Sequence, residues 1–390
     1  MTQETLDALV VGSGPAGATA AILLARAGWR VAMAERATFP RRKVCGEFVS
    51  APSWPLLRAL GVDTPSAGPP IERVALYADT AVVTVPMPWA RAGRGRAIAR
   101  DVLDTALLDR AAQCGARVLQ GRMVTSVERE ADLQVCTTEN GDRIASRVVI
   151  AAHGSWEPGA LPTQGRARHA ASDLLAFKAY FRDSALDART MPLLLFPGGY
   201  GGMVTGDGGR VSLSLCIRRD RLAQCRRRAP ALQGAGEAVL AHILASCRAA
   251  RDALAGASRE GSWLAAGPIR PGIRRHAPPG WFRVGNAMGE AHPIVAEGIS
   301  MAIQSSWLLC SLLVRHRANA RSAQSLRALQ DVYAAAYRHA FAPRIDAAAL
   351  FATLAVHEPT RKLMKHAVRH VPALLAMGAR WSGKTTPAPA

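Results

Sequence analysis

The chain has 390 residues, of which 49% are hydrophobic, so it exceeds the usual size of one domain and can bury a substantial core in two domains or one intertwined unit. Its seven cysteines are scattered without a CxxC pair, which argues against a disulfide framework and a zinc site and indicates a reducing compartment. The formal net charge is +20 at pH 7, but aromatic residues are only 5% and are not interleaved with the basic clusters, which argues against nucleic-acid binding.

Three other interpretations fit the basic charge: solvated basic faces, an acidic membrane surface, or an acidic partner protein. The sequence starts almost directly with a strand, so we expect no secretory signal and a cytoplasmic location, with peripheral membrane association as the alternative. Two stretches without charged residues, 8–25 and 298–314, are interpreted as buried α/β elements. A Gly-Pro turn interrupts the first, and polar serines and a glutamine lie in the second.

The first predicted element is a βαβ unit with a glycine-rich turn. The apolar run Leu6–Val11 leads into the GxGxxG pattern of residues 12–17, and a strong helix former follows. In this pattern the first glycine permits a tight turn, the second lets the backbone approach a pyrophosphate, and the third lets the helix pack on the sheet. A second strand ends at Glu35, 18 residues after Gly17, where an acid can accept hydrogen bonds from ribose hydroxyls. The unit therefore predicts adenine-dinucleotide binding.

The middle of the chain alternates between helices and a second set of strands. Residues 71–85 alternate apolar and polar side chains, which predicts a strand pair that leaves the nucleotide domain for a second sheet. A helix is expected from Arg100 to Cys114, and strands are expected within 116–152. From 161 to 265, alternating segments surround a predicted glycine-rich turn, Phe196–Gly202. They indicate a mostly antiparallel sheet that covers a cofactor and builds a substrate pocket.

The last third of the chain is predicted to be helical. The expected helices cover residues 299–316, 325–342, 345–357 and 361–377. Three prolines are expected to punctuate these helices, since proline breaks a helix interior: Pro343, Pro359 and Pro372. Residues 384–390 are predicted to form a disordered tail.

A second strand–turn–helix pattern lies at residues 281–299. The strand leads into Gly285 and Asn286, and a helix is predicted to begin near Gly298. This stretch resembles the GD motif of FAD-dependent oxidoreductases of the p-hydroxybenzoate hydroxylase and geranylgeranyl reductase group. In that group the acid of the motif binds the ribityl chain and the helix points its N-terminus at the flavin ring. Here Asn286 replaces the acid, and the helix dipole near Gly298 would stabilise a reduced flavin.

The resemblance covers most of the chain and implies FAD contacts elsewhere. Residues 41–46 are similar to the Cys-Gly loop of the geranylgeranyl reductase branch, and the Arg100 helix is similar to a family helix whose arginine lies near FAD. His153 stands where the DG motif of the family has an acid. The implied cofactor-binding residues are Gly12, Gly14, Pro15, Ala16, Gly17, Glu35, Arg36, Arg42, Lys43, Cys45, Gly46, Arg100, Val124, His153, Gly154, Gly285, Asn286, Pro293, Gly298 and Ile299.

Five residues are candidates for chemistry beside the predicted flavin: Cys45, Tyr200, Glu290, His292 and Glu297. An acid or base at this place can deprotonate a phenol or protonate a reduced alkene. Each candidate also has a structural alternative, namely a buried loop cysteine, a hairpin tyrosine, or acids and a histidine that shape the cofactor loop. No metal site is predicted.

These patterns predict an α/β flavoprotein with a doubly wound, Rossmann-like FAD-binding domain, an inserted and mostly antiparallel substrate domain, and a helical C-terminal region. The FAD-binding domain is predicted to be discontinuous, because its two motifs lie near opposite ends of the chain. The predicted limits are 1–75, 96–160 and 266–315 for the FAD-binding domain, 76–95 and 161–265 for the substrate domain, 316–383 for the helical region and 384–390 for the tail.

The resemblance implies an FAD-dependent oxidoreductase that takes electrons from NADH or NADPH. Hydroxylation of an aromatic or hydrophobic small molecule by a monooxygenase is favoured, because it is the commoner chemistry in the wider group. The alternative is reduction of an alkene in a prenyl or lipid-like chain. A flavoprotein that modifies or assists a partner protein is a third interpretation, motivated by His153 and Asn286. The Trp-x-Trp-x-Ile-Pro signature of flavin halogenases is absent from the sequence, which makes halogenation less favoured.

Overall fold

Two large β-sheets and a set of α-helices make up the part of the chain that the computed structural model describes, which is residues 5–62, 64, 67–155, 159, 161–164, 169–274, 278, 280–317 and 322–386. The strands are, in chain order, β1 (Leu6–Val11), β2 (Val31–Glu35), β3 (Phe48–Val49), β4 (Arg73–Ala78), β5 (Ala81–Pro86), β6 (Arg96–Ala97), β7 (Arg117–Gln120), β8 (Val124–Glu130), β9 (Leu133–Thr138), β10 (Arg143–Ala151), β11 (Leu174–Arg182), β12 (Thr190–Phe196), β13 (Gly199–Thr205), β14 (Val211–Arg218), β15 (Ser258–Ile269), β16 (Gly272–Ile273), β17 (Trp281–Arg283) and β18 (Gly289–Glu290). The α-helices are α1 (Pro15–Arg26), α2 (Trp54–Leu60), α3 (Arg100–Gln113), α4 (Arg219–Arg228), α5 (Ala235–Ser246), α6 (Arg248–Ala253), α7 (Gly298–Arg315), α8 (Ala323–Val356), α9 (Glu358–His370) and α10 (Ala373–Trp381). Short 3-10 helices cover Ala51–Ser53, Asp207–Gly209, Gly285–Ala287 and Pro293–Val295.

The first sheet joins the two ends of the chain. Its order is β7-β2-β1-β10-β9-β8, and β17 also pairs with β10. Strands β7, β2, β1, β10 and β17 run parallel, while β8 and β9 add an antiparallel hairpin. Phe282 of β17 pairs with Ile150 of β10, and Val149 of β10 pairs with Leu9 of β1. The second strand–turn–helix motif is therefore placed beside the first one.

Helices α1 and α7 pack on this sheet in close contact. Pro15 occupies the first turn of α1, where its missing N–H costs nothing, and the small residues that follow allow a near approach. The hydroxyl of Ser306 in α7 donates to the carbonyl of Ala16 at 2.7 Å. Among the described residues, α7 alone is long and apolar enough to cross a membrane, but 61% of it is buried inside the protein. Its burial agrees with the interpretation of residues 298–314 as a core element.

The second sheet is mostly antiparallel, as predicted, with the order β15-β11-β14-β13-β12-β4-β5. The pairing of β12 with β4 is parallel, and the other pairings are antiparallel. One face carries large apolar side chains such as Phe177 and Ile217 that pack against α4, α5 and α6. The other face packs against the C-terminal helices through Leu195, Ala352 and Val368. This α/β architecture with a helical C-terminal region confirms the predicted fold class.

Pro343 does not end a helix, so the predicted break there was wrong. Helix α8 runs without interruption from Ala323 to Val356 with Pro343 inside it. Both Pro343 and His339, whose carbonyl loses its helical donor, are exposed, so water can bind that carbonyl. Tyr337, Phe341 and Ile345 are buried on the opposite face. Burial on both sides of the proline outweighs the cost of about 3 kcal/mol for a proline in a helix interior.

Two further expectations need correction. The glycine-rich segment predicted as a turn is mainly strand β13, which begins at Gly199 directly after a two-residue turn. A Cβ atom on Gly199 would lie 2.4 Å from the carbonyl oxygen of Cys216 on β14, so the glycine allows close strand pairing there. The predicted tail is not disordered at its start, because Lys384 is only 6% exposed. Residues 387–390 of that tail lie outside the described residues.

The two sheets draw their strands from interleaved parts of the chain. The first sheet uses residues within 6–35, 117–151 and 281–283, and the second uses residues within 73–86, 174–218 and 258–269. The detailed domain limits given above stay a prediction.

Candidate functional site

One cavity of about 1220 Å³ runs from the glycine-rich turn after β1, past the second sheet, to the C-terminal helices. Ordinary small-molecule sites measure about 300–1,000 Å³, so this cavity has room for a dinucleotide and a second ligand. Most of the site residues predicted from the sequence line this cavity. The two exceptions are Gly17 and Glu297. The predicted residues that line it are Gly12, Gly14, Pro15, Ala16, Glu35, Arg36, Arg42, Lys43, Cys45, Gly46, Arg100, Val124, His153, Gly154, Tyr200, Gly285, Asn286, Glu290, His292, Pro293, Gly298 and Ile299.

The three glycines of the first turn serve different spatial needs. Gly12 has φ +100°, and a Cβ atom there would lie 2.7 Å from the carbonyl oxygen of Ala152. A Cβ atom on Gly17 would lie 1.9 Å from the carbonyl oxygen of Gly12, so Gly17 allows α1 to fold back onto the turn. A Cβ atom on Gly14 would make ordinary van der Waals contacts only, with Nη2 of Arg100 at 3.7 Å and Nη2 of Arg41 at 3.9 Å. The surface at Gly14 is thus flanked by two guanidinium groups.

These two arginines form the cationic wall of the turn. Arg100 donates two hydrogen bonds to the buried Asp104, at 2.8 and 2.7 Å. Burial by itself lowers the pKa of Arg100, but Asp104 and the thiol of Cys45 outweigh it and raise the pKa, so the charge is retained. Arg41 lies 3.8 Å from Asp104, and its buried Nε and Nη1 atoms have no hydrogen-bond partner in the described part of the chain. A phosphate at Gly14 would satisfy those donors and the N–H groups at the start of α1.

Glu35 closes the other side of this end of the cavity. Its carboxylate is 6% exposed and accepts hydrogen bonds from the backbone N–H of Ser13 at 2.8 Å and of Ala37 at 3.0 Å. Each carboxylate oxygen can accept further bonds, which leaves capacity for ribose hydroxyls. The sequence correctly predicted Glu35 at the end of β2. Arg41 was not predicted as a site residue, although the basic run 41–43 was a visible signal.

The second motif meets the first one at Gly285. A Cβ atom on Gly285 would lie 3.0 Å from the Cβ atom of Ala16, so the turn packs against the start of α1. The amide nitrogen of Asn286 donates to Ser155 at 3.0 Å and to Glu290 at 3.2 Å. This leaves the amide oxygen of Asn286 as an acceptor for a hydroxyl group, which is what a ribityl chain supplies.

Glu290 is held by several partners, so it is a poor candidate for proton transfer. Its carboxylate is 3% exposed and accepts from the Ser155 hydroxyl at 2.8 Å and from Arg274 at 3.3 Å, in addition to Asn286. Burial raises the pKa of Glu290, while the hydroxyl of Ser155 and the charge of Arg274 act in the opposite direction. The carboxylate therefore orients Asn286.

His153, at the position of the missing DG acid, is neutral. Burial lowers its pKa to about 4, and nearby cations, Arg283 foremost, act in the same direction. Its Nε2 atom lies 2.8 Å from the hydroxyl of Thr163, and its buried Nδ1 atom has no hydrogen-bond partner among the residues described. The ring can therefore offer one nitrogen to a ligand without adding a charge.

Tyr200 and His292 lie together where the second sheet meets the cofactor loop. The hydroxyl of Tyr200 is 3.5 Å from Nδ1 of His292, at the limit of a hydrogen bond. Burial raises the pKa of Tyr200 well above 10 and lowers the pKa of His292 to about 4. Burial also raises the pKa of the adjacent Cys216 to about 12. At neutral pH this part of the cavity offers a protonated phenol and thiol and an unprotonated imidazole.

Glu297 was predicted as a catalytic candidate, but it lies behind the cavity wall. It is 1% exposed, and its carboxylate accepts from the hydroxyl of Ser50 at 2.9 Å and from Nζ of Lys384 at 3.1 Å. It directly precedes Gly298, the first residue of α7, where a Cβ atom would meet no other atom within 4 Å. Glu297 thus fixes the start of α7, whose open N-terminus faces the cavity and favours negative charge there.

Cys45 lines the cavity beside a buried ionic cluster that was not predicted from the sequence. Glu47, which has φ +60°, accepts from the hydroxyl of Tyr180 at 2.6 Å and lies 2.5 Å from Nζ of Lys178. Burial lowers the pKa of Lys178, although the nearby carboxylate of Glu47 acts to raise it. In the sequence, the lysine within the apolar strand β11 was the signal that could have predicted this cluster. Arg42, half exposed, lies 3.2 Å from Glu260, so it joins this loop to the second sheet.

Comparisons with known proteins identify the family and the fold. A family model described as an FAD binding domain matches residues 5–342. Menaquinone reductase of Mycolicibacterium smegmatis is 27% identical over 347 residues, which are 84% of this chain and 81% of that protein. The FAD-dependent chondrochloren halogenase of a myxobacterium has a TM-score of 0.75 at 19% identity, over 97% of this chain and 91% of that one. A geranylgeranyl bacteriochlorophyll reductase-like protein of Thermoplasma acidophilum has a TM-score of 0.66 at 18% identity, over 95% of this chain and 100% of that one. At such identities the structural likeness shows the fold alone.

Proposed function

The chain belongs to the FAD binding domain family, within the FAD-dependent oxidoreductases, and on that premise we propose that it reduces a carbon–carbon double bond in a prenyl-type or other lipid-like chain. Its cofactor is FAD, and NADH or NADPH is the proposed source of electrons. Arg41 and Arg100 would hold the pyrophosphate, Glu35 the adenosine ribose and Asn286 the ribityl chain. When bound, FAD supplies hydride chemistry, so that one hydride from the nicotinamide and one proton saturate one double bond.

The continuity of the cavity carries this proposal. Its wall changes from charged groups at Gly14 and Glu35 to apolar side chains on the C-terminal helices, among them Leu354, Met364 and Leu375. An apolar wall that continues from a dinucleotide site favours a long hydrophobic substrate. The relative from Mycolicibacterium smegmatis, whose name states that it reduces menaquinone, favours reduction over hydroxylation.

The side chains near the proposed reaction centre are suited to hold a proton and to exclude charge. Tyr200 is 2% exposed and protonated at neutral pH, so its hydroxyl can donate a hydrogen bond into the cavity. The unprotonated His292 lies next to it and can accept a proton. Tyr200 is therefore our candidate for delivery of the proton that completes the addition, with His292 as its partner.

Hydroxylation of a phenolic substrate is the second candidate. The unprotonated imidazole of His292 favours it, since a nearby base can take the proton of a phenol and make the ring more electron-rich. This reaction would need oxygen in addition to the same cofactor and electron donor. A flavoprotein that assists a partner protein is the third interpretation, and it predicts cofactor binding without turnover of small molecules.

Product mass separates these candidates. The purified, FAD-loaded protein would be incubated with a menaquinone that carries a four-unit prenyl chain, with NADH, NADPH or dithionite, in air and under anaerobic conditions. After reoxidation of the quinone ring, alkene reduction leaves a gain of about 2 Da on the chain, whereas hydroxylation leaves about 16 Da and needs air. We expect the 2 Da product under anaerobic conditions.

Two variants test whether the hydroxyl of Tyr200 is needed for product formation. Tyr200→Phe removes the proposed donor hydroxyl and should slow product formation at unchanged FAD content, whereas Val332→Ser, on the exposed face of α8, should not. An oxygen-dependent 16 Da product would replace the reductase proposal by the hydroxylase. A protein that cannot be loaded with FAD would overturn both.

A further inference from the structure

The cavity opens to the outside among the three C-terminal helices. Four apolar side chains both line it and reach its surface: Leu350 of α8 is 53% exposed, Leu363 of α9 67%, Met377 of α10 38% and Trp381 of α10 56%. We call these four residues the rim. Large apolar side chains clustered around a cavity mouth mark a contact site for a membrane, a ligand or a protein.

The helices that carry the rim are anchored to the body of the protein, so the rim side chains cannot simply fold inward. Asp79 accepts from Arg361 at 3.3 Å and from Lys365 at 2.6 Å, both on α9. Val368 of α9 and Ala379 of α10 are each 7% exposed and pack on the second sheet. The inner faces of both helices are therefore occupied, and the rim stays on the outer side.

Basic side chains surround the rim. Lys362, His366 and Arg369 are exposed and lie at i, i+4 and i+7 on one face of α9, and Arg380 is exposed beside Trp381 on α10. Glu358 is the only acidic residue of the sequence between positions 358 and 386, and its carboxylate lies 3.0 Å from Nζ of Lys362, whereas no ion pair is found for Arg369 and Arg380 among the described residues. An amphipathic helix with cations beside a large apolar side chain is suited to the interface of an anionic bilayer.

We propose that the rim docks on an anionic phospholipid bilayer, with Leu363 and Trp381 inserted among the lipids and Lys362, Arg369 and Arg380 against the headgroups. The cavity mouth then opens into the apolar part of the bilayer, and a lipid-chained substrate passes from there to the cofactor without crossing water. This inference rests on the proposed function for the identity of the substrate. Docking itself is measured without turnover, so the two can fail separately.

The test is co-sedimentation of the FAD-loaded protein with vesicles of phosphatidylcholine alone or with added phosphatidylglycerol. We expect binding to the anionic vesicles and little to the neutral ones. A basic residue near an anionic surface contributes about fivefold to partitioning, so Lys362→Gln/Arg369→Gln should bind about 25-fold more weakly. Arg58→Gln/Arg117→Gln is the matched control, because it removes the same charge from exposed positions on α2 and β7.

The apolar part of the rim has its own control. Leu363→Ser/Trp381→Ser should lower binding, while Val332→Ser should not, since Val332 is also 52% exposed but lies about 27 Å along α8 from Leu350 at a rise of 1.5 Å per residue. Vesicles with brominated acyl chains should quench tryptophan fluorescence, and Trp381→Phe should remove most of that quenching.

Three outcomes overturn the proposal. The first is absence of binding to anionic vesicles, including the case in which an acidic protein binds the rim instead. The second is an equal loss in the Arg58/Arg117 control, which would mean that the net charge of +20 alone attracts the protein. The third is quenching that Trp381→Phe leaves unchanged. Binding with no turnover of any quinone would keep the docking surface and remove the proposed substrate.

Discussion

Lys384 lies 87 positions beyond Glu297 in the sequence, and its Nζ donates a hydrogen bond to Oε1 of that residue at 3.1 Å inside the protein. Lys384 also donates to the carbonyl of Val295. Both charged side chains are nearly inaccessible, at 6% and 1% exposure. The end of the described chain is thus tied to the loop that leads into α7, beside the cavity.

Replacement of Lys384 by methionine should destabilise the protein by about 3–5 kcal/mol, because it removes the ammonium group that pairs with the buried carboxylate of Glu297 and leaves only the electrostatic effect of Arg344. Urea denaturation followed by circular dichroism measures this. Lys384→Met/Glu297→Gln should recover much of the loss, since the buried carboxylate is removed together with its ammonium partner. Lys362→Met, at an exposed lysine, should change stability by less than about 0.5 kcal/mol. A Lys384→Met protein as stable as the parent would show that the pair contributes nothing.

Restoring the acid of the family motif should harm this protein. In Asn286→Asp, a carboxylate replaces the amide that lies 3.2 Å from Glu290, and the two acids repel each other. We expect weaker FAD binding and a lower urea midpoint. Asn286→Asp/Glu290→Gln should recover both, because an amide again donates to a carboxylate, with a coupling of about 1–3 kcal/mol in the double-mutant cycle. Additive effects would mean that the two side chains act independently.

Arg41 should contribute strongly to FAD affinity, because two of its buried nitrogen atoms, Nε and Nη1, have no hydrogen-bond partner within the described chain. A hydrogen bond to a charged group contributes about 1.5–3 kcal/mol, so Arg41→Ala should weaken FAD binding about 10- to 100-fold. Titration of the apoprotein by flavin fluorescence measures it. Arg58→Ala, at an exposed arginine of α2, is the control and should leave the affinity unchanged. Equal affinities for all three proteins would remove Arg41 from the cofactor site.

Acid should destabilise the apoprotein through its half-buried histidines, His153 and His292. The folded-state pKa of His153 is about 4, below the 6.5 of a free histidine, so between these values the unfolded chain binds a proton that the folded chain does not. Stability is therefore fully present above pH 6.5 and falls as the pH drops towards 4, by at most about 1.4 kcal/mol per pH unit for one histidine. His153→Asn should flatten the decrease in thermal midpoint between pH 6.5 and 4.5. His292→Asn should do the same. An unchanged pH profile in both variants would contradict the lowered pKa values.

Much of the fold and part of the site could be predicted from the sequence, because short segments of the chain encode them. The turn at Gly12–Gly17 needs glycines for local geometric reasons, and the strands before and after it are apolar runs of ordinary length. The strand pair β4–β5 followed from alternation alone. Glu35 was found because it occupies a fixed position at the end of β2, and Asn286 because its stretch resembles a motif of the family.

The tertiary structure decided which of these residues are free to act. Glu290 and Glu297 looked alike in sequence, but Ser155 and Arg274 hold the first, and Ser50 and Lys384 hold the second. Such partners come from distant segments, and a local pattern carries no information about them.

By itself, the sequence determined that this protein binds a dinucleotide on a parallel sheet, because backbone geometry at a glycine turn depends on neighbours only a few residues away. Only the tertiary structure decided the charge state and orientation of the site. Burial lowers the pKa of His153 and of His292. The packing of distant segments places Arg41 beside Arg100 at Gly14. Both effects depend on how the whole chain packs. The same packing decides that the cavity opens at the C-terminal helices.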